Sequence, residues 1–306
     1  MMIASMSGKL LLYDTASDKI LDERKDHSKY VVKIASWSLG GSFLVASAGW
    51  DSKVFIYRVN SGDDVPRIGE PLATLTLPSI PETLLFVRSP EDGSPILLVA
   101  RRDSTFLYYY SVPDANTAAI NLLGKQNLAP HSNAWVAFTP ADVQICPTDP
   151  SVVAVATSST PHMKLLILKL LLPPAQSARP NTVTNSGTTD PVAVTQASQA
   201  RAELLVADRE EAAILTNVST MAPQTAYSTP RLIWRPDGSG LYVSSDDGVV
   251  RGVEADSGKL VASLEGHEPG SKLRCLWAGF LKTHNGEAVG STNDHEILIS
   301  GGFDQR

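Results

Sequence analysis

A strand-sized unit recurs from one end of the chain to the other. One instance reads Ser42-Phe-Leu-Val-Ala-Ser-Ala-Gly-Trp-Asp51 and then Lys53-Val-Phe-Ile-Tyr57, two β-rich runs around a tight turn, with another strand expected at Pro71–Leu75. The same order stands at Met2–Ser5, Lys9–Tyr13 and Lys19–Asp22. It returns at Pro95–Ala100 with Thr105–Tyr110, at Val152–Thr157 with Lys164–Leu170, and at Leu241–Ser245 with Val249–Val253, and Glu296–Asp304 begins another copy. The strand before the hairpin is visible as Tyr30–Trp37 leading into Ser38-Leu-Gly-Gly41, and as Arg231–Trp234 leading into Arg235-Pro-Asp-Gly-Ser239. Proline presets φ and glycine supplies the reversal, so these are hairpin turns. Short strands at regular spacing predict an all-β fold. A period of roughly 40–55 residues with about four strands per unit is that of propeller blades.

Composition narrows the reading further. In 306 residues, 43% are hydrophobic and 19% charged, enough to bury a core and too apolar for wholesale disorder. Net charge is 26 − 32 = −6, without a Lys/Arg cluster, which argues against nucleic acid as a partner. Cys146 and Cys275 are too few for a disulfide framework. With no signal peptide at Met1–Leu12, a cytoplasmic or nuclear setting is expected. The longest apolar run, Leu165–Leu172, is short and contains Lys169, so no membrane span is expected.

These residues resemble the WD40-repeat family, whose unit opens with Gly-His, passes a Ser-Pro-Asp-Gly-like turn, places Asp in the next hairpin and closes with Trp-Asp. Asp26-His27 stands where Gly-His belongs, with Ser47, Asp51 and Tyr57 following; Gly266-His267 is the family dipeptide, followed by Ser300 and Asp304; Tyr13-Asp14 takes a Trp-Asp position. The unit at Val249–Val253 lacks the terminal aromatic, and Lys164–Leu170 has neither Asp turn nor aromatic. The resemblance implies a single WD40-like β-propeller domain over residues 1–306, with roughly five and a half blades of a seven-bladed ring. An incomplete blade at each end carries the expectation that the natural chain extends beyond residues 1 and 306. Residues 173–200, with four prolines, eight Ser/Thr and no aromatic, are expected to be a disordered loop insertion within that domain.

The resemblance also assigns roles. His27, Ser47, Asp51 and Tyr57 look superficially like a nucleophile–base–acid set, but their offsets match the family's structural network, in which His donates to the hairpin Asp and Ser and the aromatic complete the chain. His267, Ser300 and Asp304 take the same reading. No catalytic, cofactor-binding or metal residues are expected. His131, His162, His284 and His295 lack paired ligand spacing, there is no Cys-x-x-Cys, and no phosphate loop or nucleophile elbow occurs. The positions before the hairpin Asp are the suggestive ones. Trp50, Arg102 and Phe303 would be turn tips on one rim of the propeller, and Trp and Arg are enriched in interface hot spots. The expected function is a non-catalytic scaffold or adaptor binding proteins or peptides through that rim. A substrate receptor of a cullin-type ubiquitin ligase is one alternative, although Tyr13-Asp14-Thr15-Ala16 and Tyr57-Arg58-Val59-Asn60 lack the Arg such receptors carry after Trp-Asp. A propeller enzyme relying on acids such as Asp103 or Asp247 is the other.

Overall fold

The computed structural model describes residues 1–60, 66–113, 119–132, 138–173, 196–282 and 294–304. Within them the strands form six antiparallel sheets in chain order. The first holds β1 (Met2–Ala4), β2 (Leu10–Asp14) and β3 (Lys19–Arg24); the second holds β4 (Val31–Ser38), β5 (Ser42–Gly49), β6 (Lys53–Asn60) and β7 (Ala73–Thr76). The third is β8 (Pro81–Arg88), β9 (Pro95–Arg101), β10 (Phe106–Ser111) and β11 (Leu122–Asn127), and the fourth is β12 (Pro140–Ile145), β13 (Val152–Thr157), β14 (His162–Lys169) and β15 (Ile214–Pro223). The fifth is β16 (Leu232–Trp234), β17 (Gly240–Val243), β18 (Val249–Glu254) and β19 (Leu260–Glu265); the sixth pairs β20 (Leu273–Lys282) with β21 (Asp294–Gly302). Neighbouring strands in each sheet follow one another in the chain, mostly through short turns, with α1 lying in the long connection from β14 to β15, so the hairpin spacing of the sequence becomes a row of propeller blades.

The period-2 direction of side chains explains how the sheets stack. On β5, Leu44, Ala46 and Ala48 pack with Leu97 and Val99 of the third sheet, while Val45 packs with Leu10 and Leu12 of the first. On β9 the remaining residues Ile96, Leu98 and Ala100 face Val153 and Val155 of β13. Ala154 and Ala156 of β13 then face Leu232, Leu241 and Val243 of the fifth sheet. Both faces of each middle strand are therefore covered, which is why Val152-Val-Ala-Val-Ala-Thr157 is buried at every position instead of alternating. Fully burying each such Val or Leu is worth about 1.5–3 kcal/mol.

The first strands β4, β8, β12, β16 and β20 pack in succession along the row. Lys33, Thr83, Asp142 and Cys275 sit opposite Ala48, Ala100, Ala156 and Gly301, one register position shared by four sheets, each beside a local shift in pairing. Lys33 Nζ donates to Asp142 Oδ1 at 2.8 Å, tying the second sheet to the fourth.

The expected insertion at 173–200 meets the described residues only at its two ends. Residues 174–195 lie outside the described residues, but the last five belong to a helix, α1 (Gln196–Ala212). Residues Arg201–Ala213 can be read from the sequence as a short helix, and the preceding Gln196-Ala-Ser-Gln-Ala200 is helix-compatible too, so the helix opens five residues earlier than that reading. The helix is held to β11 of the third sheet by Glu210, which is buried and accepts the backbone N–H of Asn127 at 2.8 Å.

Candidate functional site

The turn between β5 and β6 reads Trp50-Asp51-Ser52. Ser52 adopts a left-handed φ of 60°, and its N–H returns to Gly49 O at 3.1 Å. Asp51 ties this turn to the loop before β4, accepting the Ser28 N–H at 2.9 Å and His27 Nδ1 at 3.0 Å. With Nδ1 donating, Nε2 accepts the Ser47 hydroxyl at 2.8 Å. Burial alone would raise the Asp51 carboxyl, but the hydrogen bonds from His27 and Ser28 hold it below its usual range. His27 is 1% exposed and Ser47 0%, so the hydroxyl has no access for a substrate. The sixth sheet repeats the arrangement: His267 Nδ1 lies 2.9 Å from Asp304 Oδ1 and Nε2 lies 2.8 Å from Ser300 Oγ, with the Glu268 N–H on Asp304 at 2.8 Å. Burial works against Asp304, yet these donors hold it at about 2.

Two details add to the sequence reading, the first at Tyr57, whose phenol also meets the Ser47 side chain. The Tyr57 hydroxyl donates to Asp26 Oδ2 at 3.1 Å, and Asp26 is clasped by Arg24 at 2.8 Å. Burial, then the Asp26 charge, pushes the Tyr57 phenol well up, so it stays a donor. In the fifth sheet Arg251 replaces the absent histidine, meeting Asp247 at 2.6 Å, and Ser245 also bonds that carboxylate. Asp247, a candidate acid on the enzyme reading, is thus engaged in holding its own turn. Asp103 is exposed at a φ of 60°.

The backbone N–H groups of Trp50, Arg102 and Phe303 donate to Tyr30 O, Ile80 O and Lys272 O at 3.0, 2.8 and 3.3 Å, so the three residues hold one equivalent position in three sheets. Trp50 is half-buried and stacks on Tyr30 with ring centroids 4.1 Å apart. The Arg102 guanidinium lies 5.4 Å from the Trp50 ring and pairs with Glu82. Phe303 is 67% exposed, with the Arg274 guanidinium 4.5 Å from its ring. Trp50 and Arg102 are therefore brought together, while Phe303 stands with Arg274 in the sixth sheet.

The same register places Met6 at the tip between β1 and β2. Ala4 pairs with Leu10 as Ala48 pairs with Val54, and Gly8, at φ 84°, takes the place of Ser52. Met6 is 86% exposed, and so is Tyr227 in the connection from β15 to β16. Sequence reading missed both. Equal hairpin spacing could have found Met6; nothing local marks Tyr227.

The histidines scatter: His131 meets Asp208 at 3.2 Å, His162 is on β14, His295 is on β21, and His284 lies outside the described residues. Among the described residues no group of three or more His, Cys, Asp or Glu could hold a metal ion. No helix among them is long and apolar enough to cross a membrane. Meandering four-stranded sheets stacked face to face in chain order define a β-propeller.

Residues 1–279 match the family model described as "UCP007778, beta-propeller domain", and the chain belongs to that family. No curated protein sequence matches it. Among solved structures, it is similar to a chain of the "Crystal Structure of Mitotic Checkpoint Complex", with TM-score 0.52 and 14% identity. That match covers 88% of this chain and 64% of the other, and shows a shared fold.

Proposed function

We propose that this chain is a WD40-type, non-catalytic scaffold or adaptor that binds other proteins or peptides through the rim of turn tips bearing Trp50, Arg102 and Phe303. The observation that carries the reading is the equivalent backbone position of these three residues. Large apolar and guanidinium groups stand partly exposed there, where a turn needs none. The His27–Asp51–Ser47 and His267–Asp304–Ser300 networks support the WD40-type reading and serve to stiffen the turns. The setting we propose is cytoplasmic or nuclear, in keeping with two unpaired cysteines.

The test is quantitative affinity purification with the wild-type chain and with Trp50→Ala, Phe303→Ala and Phe43→Ala. Phe43 is 42% exposed at the far end of β5 from the Trp50 turn, so it controls for loss of any surface aromatic. Partners lost with Trp50→Ala and Phe303→Ala but kept with Phe43→Ala support the rim. Partners insensitive to both rim substitutions sink it.

A further inference from the structure

Resting on that reading of the rim, we infer that the arc of Met6, Tyr30, Trp50 and Arg102 docks a short acidic peptide segment carrying one large apolar side chain. The arc is physically continuous. A Cβ at Gly8 would meet the carbonyl oxygens of His27 at 2.4 Å and Lys29 at 2.7 Å, so the hairpin that presents Met6 is pressed against the loop carrying Lys29 and Tyr30. Tyr30 stacks on Trp50 at 4.1 Å, and Arg102 reaches the same indole at 5.4 Å. Three neighbouring sheets thereby place Met6, Tyr30, Trp50 and Arg102 along one edge, with Met6 86% exposed at its end. A strip of four side chains is far smaller than the about 800 Å² per partner of a standard domain–domain interface. It suits one anchor residue of an extended segment.

Charge selects the rest of the ligand. The whole chain carries a net charge of −6, yet this arc is bordered by cations. Lys29 and Lys53 are exposed and no described acid pairs with either. Arg102 uses Nε for Glu82, which leaves its terminal nitrogens to offer a carboxylate a forked contact while the indole supports the guanidinium face. Among the three acids of the arc, Asp51 is turned to His27 and Glu82 is held by Arg102, which leaves Asp103, exposed beside Arg102, against the exposed Lys29 and Lys53. The two lysines without an acid partner and the free terminal nitrogens of Arg102 favour carboxylates flanking the apolar anchor; a basic segment would face repulsion from Lys29 and Lys53.

A displayed library of random short peptides panned on the full chain tests this, followed by anisotropy titration of a selected peptide. Selected peptides should combine Asp or Glu with an aromatic or large aliphatic residue, and bind more weakly as salt rises. Affinity should fall at least about tenfold in Trp50→Ala and in the Lys29→Glu/Arg102→Glu double variant. Circular dichroism and the melting midpoint confirm that each variant folds, and Trp50→Leu replaces Trp50→Ala if the latter does not. Failure to enrich any peptide overturns the proposal. Neutral or basic peptides that need Trp50 but tolerate Lys29→Glu/Arg102→Glu overturn the acidic preference and leave the rim standing. Peptides that bind Trp50→Ala as tightly as wild type overturn both.

Discussion

Lys33 and Asp142, 109 residues apart in the chain, meet at 2.8 Å, with Asp142 almost wholly buried and its second oxygen accepting the Leu232 N–H at 3.3 Å. One carboxylate thus joins the second, fourth and fifth sheets. Removing one partner of a buried pair leaves the other charge uncompensated, which costs about 3–5 kcal/mol, whereas removing both is far milder. Lys33 keeps some solvent contact, so Lys33→Met should fall toward the lower end of that range. Urea unfolding of Lys33→Met, Asp142→Asn and the double variant should show the double variant less damaged than the sum. Strict additivity would mean that the two side chains do not cooperate.

His27 and Trp50 sit within one turn assembly yet should respond unequally. His27→Ala strands the buried Ser47 hydroxyl and the Asp51 carboxylate, a loss of about 2 kcal/mol or more. Trp50→Ala removes a half-exposed stack on Tyr30, worth about 0.5–1.5 kcal/mol beyond area. Thermal melts should therefore place His27→Ala below Trp50→Ala. The reverse order would make Trp50 a packing residue first.

Acid should loosen the turn networks. Asp304 falls from its ordinary 3.8 to about 2 in the folded chain. A depressed carboxyl contributes stability that is complete above the unfolded value, and protonation withdraws it as pH drops from near 3.8 toward 2. Asp51 is depressed in the same direction. Stability measured across that window should decline for the wild type and decline less for Asp304→Asn. Parallel curves for the two proteins would remove Asp304 from the explanation.

Glu210 offers the opposite sign. Burial raises its carboxyl above the ordinary 4.5 while the Asn127 N–H opposes the rise. The folded state therefore binds this proton more readily, and the contribution of Glu210 to stability is lost as pH climbs from the ordinary 4.5 through the raised value. Glu210→Gln keeps an acceptor for Asn127 without the buried charge, so neutral-pH stability should hold or improve. Glu210→Ala orphans that N–H and should cost about 1–3 kcal/mol. Chemical denaturation at neutral pH separates the two, and equal losses would show that the charge itself is needed.

Much of this molecule was legible in residue order because strand, hairpin and turn signals are local. Val152–Thr157 reads as a strand in the sequence, and the structure covers it on both faces. The meeting of His27, Ser47 and Asp51 is what the family resemblance implies, and it takes place within a single sheet and its entering loop. What lay beyond reach depends on how separate sheets face one another. Nothing near Lys33 announces Asp142, nothing near Tyr57 announces that its hydroxyl turns to Asp26, and the stack of Arg102 on Trp50 exists because two blades sit side by side. Backbone hydrogen bonding and side-chain alternation act over a few residues, so the sequence by itself determined the blades and the positions of their tips. Packing of one sheet face on the next acts over the whole chain, and only that packing decided which tips touch and which charges find partners.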